Sequence, residues 1–385
     1  MSGARLYAVR VSAFYGALFA FIGIYLPFFP PYLSAQGLSP VEIGVVMGLP
    51  LAVKIFATPV VTWLADGPGR APAVLFACAF GVLQTTLAYS LTGAFVPTAI
   101  ISAMNAMFLS PLMPLSEGLA LRGVRVYALD YGRMRLVGSA TFIVGNVGAG
   151  LVLGVTGPIF AVWLMAAAAF ALLLAGFRLP QVEETGASAY RPAGLIASLR
   201  AAANRRNLVV LAGTGLVLAS HNQFYVFGTV HWQTQGIGSA VAGPLWAVGV
   251  VAEIILFACS GVVRARIGIA GLLAVGMGAA LVRWSAMAFD PPLAMLFPLQ
   301  ALHGLTFGAS HLAAMAYLGE RMSHGSNAVQ GLYYTLTGLF AFSLNMMAGP
   351  LYESLGGASY AAMAVLSLVG GAVGLFGLTR MRDPS

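Results

Sequence analysis

The chain has 385 residues, of which 59% are hydrophobic and only 8% charged, 19 basic against 11 acidic. Soluble domains carry roughly 25% charge, so this composition excludes a soluble enzyme, a disordered chain and a disulfide-stapled secreted domain. What is left is an all-α membrane protein of many spans, with a mean hydropathy of +0.89.

Apolar runs of about 20 residues, enough to cross a bilayer, recur between polar breaks. The short basic start, Met1 to Arg10, has no small-residue cleavage site and reads as the lead into an uncleaved first span. That span, 11–33, carries Pro27, Pro30 and Pro31. The second, 41–64, holds Lys54 at mid-span and runs into the loop Asp66-Gly67-Pro68-Gly69-Arg70. The third, 72–91, contains Cys78; the fourth, 96–121, contains Pro111 and Pro114 and ends near Glu117. The fifth, 133–155, follows Asp130-Tyr131-Gly132 and bears Arg135 and Phe142. Val155-Thr156-Gly157-Pro158 turns it into the sixth, 158–178.

A polar stretch, 179–206, separates these six spans from six more. The seventh, 207–231, carries Ser220-His221-Asn222-Gln223-Phe224-Tyr225, too many polar groups to face lipid. They are expected to line a watery cavity or to pack helix against helix. The eighth, 240–263, holds Glu253 and Cys259; the ninth, 268–288, holds Arg283, whose ordinary account is snorkelling to the outer interface. The tenth, 293–318, has His303 and His311 eight residues apart, two turns along and about 80° around. The eleventh and twelfth are 328–350 and 358–379. The two cysteines have no CxxC spacing and the histidines no metal motif, so no cofactor or metal is expected.

Counting even-numbered connections and both termini as one side collects fifteen arginines: Arg5, Arg10, Arg70, Arg122, Arg125, Arg178, Arg191, Arg200, Arg205, Arg206, Arg264, Arg266, Arg321, Arg380 and Arg382. The loops of the other side contain no Lys or Arg. This places both termini and the central stretch in the cytoplasm of an inner-membrane protein, and explains the net charge of +8 without nucleic acid.

The halves repeat. A shift of 199 residues places Gln36-Gly37-Leu38 on Gln235-Gly236-Ile237, Gly69 on Gly268, and Lys54 on Glu253. Two six-helix halves, 1–178 and 207–385 with the linker 179–206, imply a pseudo-twofold axis along the membrane normal, as in alternating-access carriers. Lys54 and Glu253 would each cost roughly 2.5–3.5 kcal/mol at a lipid-facing helix centre. They form a buried ion pair, or Lys54 meets an anion while Glu253 carries a proton. Glu117 and Arg135 lie 18 residues apart across a helical hairpin, at similar depth, as a second pair or an interfacial charge cluster.

These residues resemble the major facilitator superfamily over essentially the whole chain. Leu64, Asp66, Gly69 and Arg70 match its loop signature, with Thr62 and Gly67 departing from it, and the resemblance implies gating there. Leu129-Asp130-Tyr131-Gly132-Arg133, Gly249-Val250-Val251-Ala252-Glu253 and His311-Leu312-Ala313-Ala314-Met315 resemble the 3-phenylpropionic acid transporter group, related to the lactose permease and nucleoside-proton symporter groups. The lactose permease resemblance implies that Glu117 and Arg135 bind substrate. It also implies that Glu253, Arg283 and His303 are its helix-eight carboxylate, helix-nine arginine and helix-ten histidine. Thr306 stands where that group has a proton-releasing glutamate, and Phe142 near its sugar-stacking tryptophan.

The expected function is proton-coupled symport of a small organic solute, an aromatic carboxylate first, with a sugar or nucleoside as the alternative. Lys54, Glu117, Arg135, Phe142, His221, Phe224, Tyr225, Arg283 and His303 are the expected substrate-binding residues. Glu253 and His303 are expected to couple the proton, and Asp66, Gly69 and Arg70 to gate. The partners are a small-molecule substrate, a proton and the bilayer; no nucleic acid is expected, and the carrier is expected to act as a monomer. No nucleophile–base or metal set points to an enzyme.

Overall fold

A computed structural model describes residues 3–66, 69–180, 203–322 and 328–381. Most of the 179–206 linker, Gly67 and Pro68 of the loop, and Arg382 lie outside these residues. The secondary structure among them is helical: α1 Gly3–Ala35, α2 Pro40–Ala65, α3 Arg70–Ala88, α4 Phe95–Leu109, α5 Leu112–Tyr127, α6 Tyr131–Thr156 and α7 Ala161–Phe177. Then follow α8 Arg205–Ala219, α9 Asn222–Thr234, α10 Ser239–Ala258, α11 Ser260–Met287, α12 Leu293–Ala301, a π turn over Gly304–Ala309, α13 Ser310–Met322, α14 Ala328–Leu355 and α15 Tyr360–Arg380.

Local chemistry sets several boundaries. Ser39 caps α2 while Glu42 reaches back to the Ser39 backbone N–H at 2.8 Å, with Pro40 in the first helical position. Pro27, Pro30 and Pro31 lie inside α1, which runs on to Ala35. Pro111, by contrast, separates α4 from α5. Large apolar side chains such as Phe56, Leu91, Phe177 and Phe289 are mostly exposed, as a lipid-facing surface permits.

Nine helical stretches among the described residues are long and apolar enough to cross a membrane, the last of them, Val329–Arg380, holding both α14 and α15. The expected seventh and tenth spans are absent from that set because each is interrupted. The seventh breaks at Ser220–His221 and the tenth at 302–309. Irregular backbone at membrane depth survives only where protein or a cavity receives its polar groups, so the two interruptions mark where to look for chemistry.

The 199-residue offset recurs in the backbone. Gly37 and Gly236 have φ of 91° and 79°, and Gly69 and Gly268 have 67° and 62°, the left-handed region that glycine enters without a Cβ penalty. At the first pair even the hydrogen bonds coincide. Leu38 N donates to Leu33 O at 3.2 Å and Ile237 N to Trp232 O at 2.8 Å, closing the same turn. Gln36 bonds the Tyr32 hydroxyl four residues back, and Gln235 bonds His231, the residue equivalent to Tyr32.

The contacts divide the chain into two compact units, one of 1–187 with 228–246, the other of 188–227 with 247–385. In the first, α1 packs on α6 with small residues at the seam: a Cβ on Gly145 would lie 2.9 Å from Ala20 O. The second unit has cores around Tyr317 and Tyr333 and around Leu272 and Leu273.

Candidate functional site

In the second unit the two interrupted spans bond to each other at their interruptions. His221, in the break between α8 and α9, is fully buried, and its Nε2 lies 2.8 Å from the Thr306 hydroxyl inside the π turn. Its Nδ1 faces Leu218 O at 3.0 Å. A carbonyl only accepts, so Nδ1 holds the ring proton. A neutral ring then leaves Nε2 to accept the Thr306 hydroxyl proton. Thr306 also has a 3.4 Å alternative at His303 O, the longer of the two.

With its O–H donated to His221, Thr306 is an acceptor for Arg283. Nη1 of Arg283 lies 3.2 Å from Thr306 Oγ1 and 3.2 Å from His303 Nδ1, while Nη2 donates to Gln300 Oε1 at 2.7 Å. A guanidinium has no lone pair to offer, so His303 accepts at Nδ1 and holds its proton at Nε2. That nitrogen faces Glu253 Oε2 at 3.4 Å. The polarity therefore runs one way along these groups, with Arg283 as the donor at the centre.

Packing holds the arrangement. Arg283 is fully buried, with the Phe224 and Trp284 rings 5.0 and 4.5 Å from its guanidinium carbon. Trp284 Nε1 donates to Ser220 Oγ at 3.0 Å. Glu253 and His303 can meet because glycine lines the approach of α10 to the tenth span: a Cβ on Gly304 would lie 2.7 Å from Ala252 O, and one on Gly249 3.2 Å from His303 Cβ. The π turn also changes the angular arithmetic. In an unbroken α-helix His303 and His311 diverge by about 80°. Here Phe307 stacks on both, at 5.3 and 5.7 Å, in one column.

The first unit holds a second polar cluster. Arg135 lies over Phe19, its guanidinium carbon 4.1 Å from the ring centre, and 5.9 Å from that of Tyr15. Glu117 and Arg135 both act on Tyr15 and Tyr131 electrostatically. They make no ion pair with each other among the described residues. The Tyr15 hydroxyl is buried beside Ser116 and Tyr131. Phe142 packs against the same core.

A family model described as "MFS_1 like family" matches residues 8–364. The chain belongs to this family of the major facilitator superfamily. It is 31% identical over 358 residues to the "Probable 3-phenylpropionic acid transporter" of Escherichia coli (strain K12), covering 92% of this chain and 93% of that one. It is 28% identical to the "Maltose permease" of Geobacillus stearothermophilus, over 93% and 91% of the two chains. Among solved structures the nucleoside transporter NupG matches with a TM-score of 0.84 at 16% identity, over 97% of this chain and all of the other. A bacterial homologue of the lysosomal transporter Spinster matches at 0.74 and 15%, over the whole of both chains. At those identities the likeness shows the fold. The chain is therefore a multi-pass membrane transporter of a small molecule with the major facilitator fold, not an enzyme.

Within this major facilitator chain the expected residues are differently placed. Glu253, Arg283, His303 and His221 come together, and Phe224 packs against Arg283. Full burial of Arg283 overturns the snorkelling account. Ser220, His221 and Gln223 are buried and bonded to other helices, the packing alternative, while Asn222 and Tyr225 keep part of their surface. Lys54 is exposed by area and has no hydrogen-bond or ion-pair partner among the described residues. Glu253 pairs with His303. Asp66 and Arg70 are exposed at the α2–α3 loop, and Gly69 supplies its left-handed residue. Sequence reasoning missed Gln300, Trp284 and the bonding role of Thr306. Gln300 lies three residues before His303, one helical turn away, and was the signal at hand.

Proposed function

We propose that this chain is a proton-coupled symporter of a small aromatic carboxylate, working by alternating access. The observation that carries the reading is Arg283. It is a fully buried guanidinium with, among the described residues, no carboxylate in ion-pair distance and no partner for its Nε–H, flanked by Phe224 and Trp284. A buried, incompletely satisfied fork suits a carboxylate, and the adjoining rings suit an aromatic body. The 3-phenylpropionic acid named for the Escherichia coli relative supports the same class.

Phe224 and Tyr225 would contact the ring of such a ligand, and Arg135, Glu117, Phe142 and Lys54 are further binding candidates. Glu253 with His303 would carry the proton, and the Asp66–Gly69–Arg70 loop would gate. The reading includes twelve spans in two six-helix halves about the 179–206 linker, a monomeric inner-membrane protein, and cytoplasmic termini. The maltose permease relative favours a second reading, a sugar or nucleoside substrate.

Uptake in proteoliposomes decides between them. Under an imposed pH gradient, labelled 3-phenylpropionate should accumulate, while maltose and nucleosides should not. Glu253→Gln should abolish gradient-driven accumulation yet retain exchange of labelled for unlabelled acid. Accumulation of a sugar or nucleoside instead would overturn the carboxylate reading. Intact accumulation in Glu253→Gln would remove Glu253 from coupling.

A further inference from the structure

The hydrogen-bond directions of the second unit carry one more step, which rests on the symport reading above. Arg283 Nη1 and a proton compete for a single lone pair, that on His303 Nδ1. We propose that His303 Nδ1 is the proton-loading atom and that Arg283 excludes the proton from it until an anionic substrate draws the guanidinium away.

A neutral imidazole has one donor and one acceptor nitrogen. With Nε2–H turned to Glu253 Oε2 at 3.4 Å, Nδ1 alone is left to take a proton. In this structure Arg283 N–H occupies that lone pair at 3.2 Å. An imidazolium there would set N–H against N–H beside a fixed positive charge. The groups facing His303 are Glu253 from α10, Arg283 from α11, His221 from the break before α9 and Tyr225 from α9. On its own helix, His311 stands close enough to Glu253 to act on it. Of these, Arg283 is the one whose position blocks Nδ1.

His221 and Thr306 are positioning residues in this scheme. Fixed by Leu218 O, His221 Nε2 accepts a hydrogen bond from the Thr306 hydroxyl, and the Thr306 oxygen then anchors Arg283 Nη1 in its blocking place. When a carboxylate RCOO⁻ accepts from the guanidinium, the Arg283–His303 bond breaks and a proton from the bulk solution, delivered by H₃O⁺ that leaves as water, binds His303 Nδ1. The resulting imidazolium keeps its Nε2–H on the Glu253 carboxylate. One anion and one proton enter together, so the loaded site gains no net charge. Substrate and proton thus favour each other's binding, a coupling that is reciprocal by linkage.

Nitrogen-15 NMR of the histidine rings, on the full chain in lipid nanodiscs, tests this. Without ligand, from about pH 5 to about pH 8, His303 should remain singly protonated, on Nε2. Saturating 3-phenylpropionate should convert it to the doubly protonated ring, with close to one proton taken up per ligand in calorimetry across buffers. Two variants need no substrate. Arg283→Met and Thr306→Val should each let the doubly protonated His303 signal appear in ligand-free protein, and Thr306→Ser should restore the wild-type spectrum. A His303 that stays singly protonated in both ligand-free variants overturns the exclusion. Proton uptake with His303 unchanged places the proton elsewhere and overturns the inference while the symport reading stands. Absence of any aromatic-acid binding or uptake defeats the symport reading, and the ligand-free variants still decide the exclusion.

Discussion

A guanidinium brings five N–H donors and no acceptor, and Arg283 uses three of them on Thr306, His303 and Gln300. Hydrogen bonds to a charged group contribute about 1.5–3 kcal/mol each. Lysine keeps the charge but not the fork. Arg283→Lys should therefore weaken 3-phenylpropionate binding by about 10-fold or more, measured as Kd by calorimetry. An unchanged Kd would mean that the fork does not touch the ligand. The types of these residues were legible in sequence, since a charge or histidine inside an apolar run stands out by cost alone. Their partners were not. Nothing in the order of residues says that the Thr306 hydroxyl meets His221, 85 positions away.

At the scale of elements, the π turn and the glycines beside it decide whether Glu253 and His303 meet. Adding a branched side chain at Gly304 forces contact with the Ala252 carbonyl. Overpacking of this kind costs about 1–3 kcal/mol. Gly304→Val should lower the thermal unfolding midpoint and disrupt proton-driven accumulation together, whereas Gly278→Val, at a glycine with open space around it, should leave both near wild type. Equal behaviour of the two variants would show that the seam is not tight. Helix existence was readable from hydropathy, but proline chemistry alone did not tell the break at Pro111 from the unbroken run through Pro27, Pro30 and Pro31. The π turn was not, because the Leu302-His303-Gly304-Leu305-Thr306 stretch contains no proline and no charge to announce it.

For the molecule as a whole, orientation rests on the arginines. Single cysteines placed at Thr92 and at Arg70, in a Cys78→Ala, Cys259→Ala background, should label from opposite sides of sealed vesicles. A membrane-impermeant maleimide added outside right-side-out vesicles should reach position 92 and not 70. The reverse pattern would invert the topology. The repeat at 199 residues could be read in the sequence because glycines in left-handed turns tolerate few substitutes. The grouping of 228–246 with the first unit could not, since chain order and spatial neighbourhood differ there.

An i→i+5 ring encloses one residue more than an α turn, and so at Gly304–Ala309 the count of residues and the count of turns part company. A relative whose tenth helix is regular will align with this one letter for letter and yet disagree in space beyond Ala301. The residue opposite Thr306 in such an alignment need not occupy the place of Thr306. Homology carried across this helix therefore holds its register up to Ala301 and must be re-registered after it.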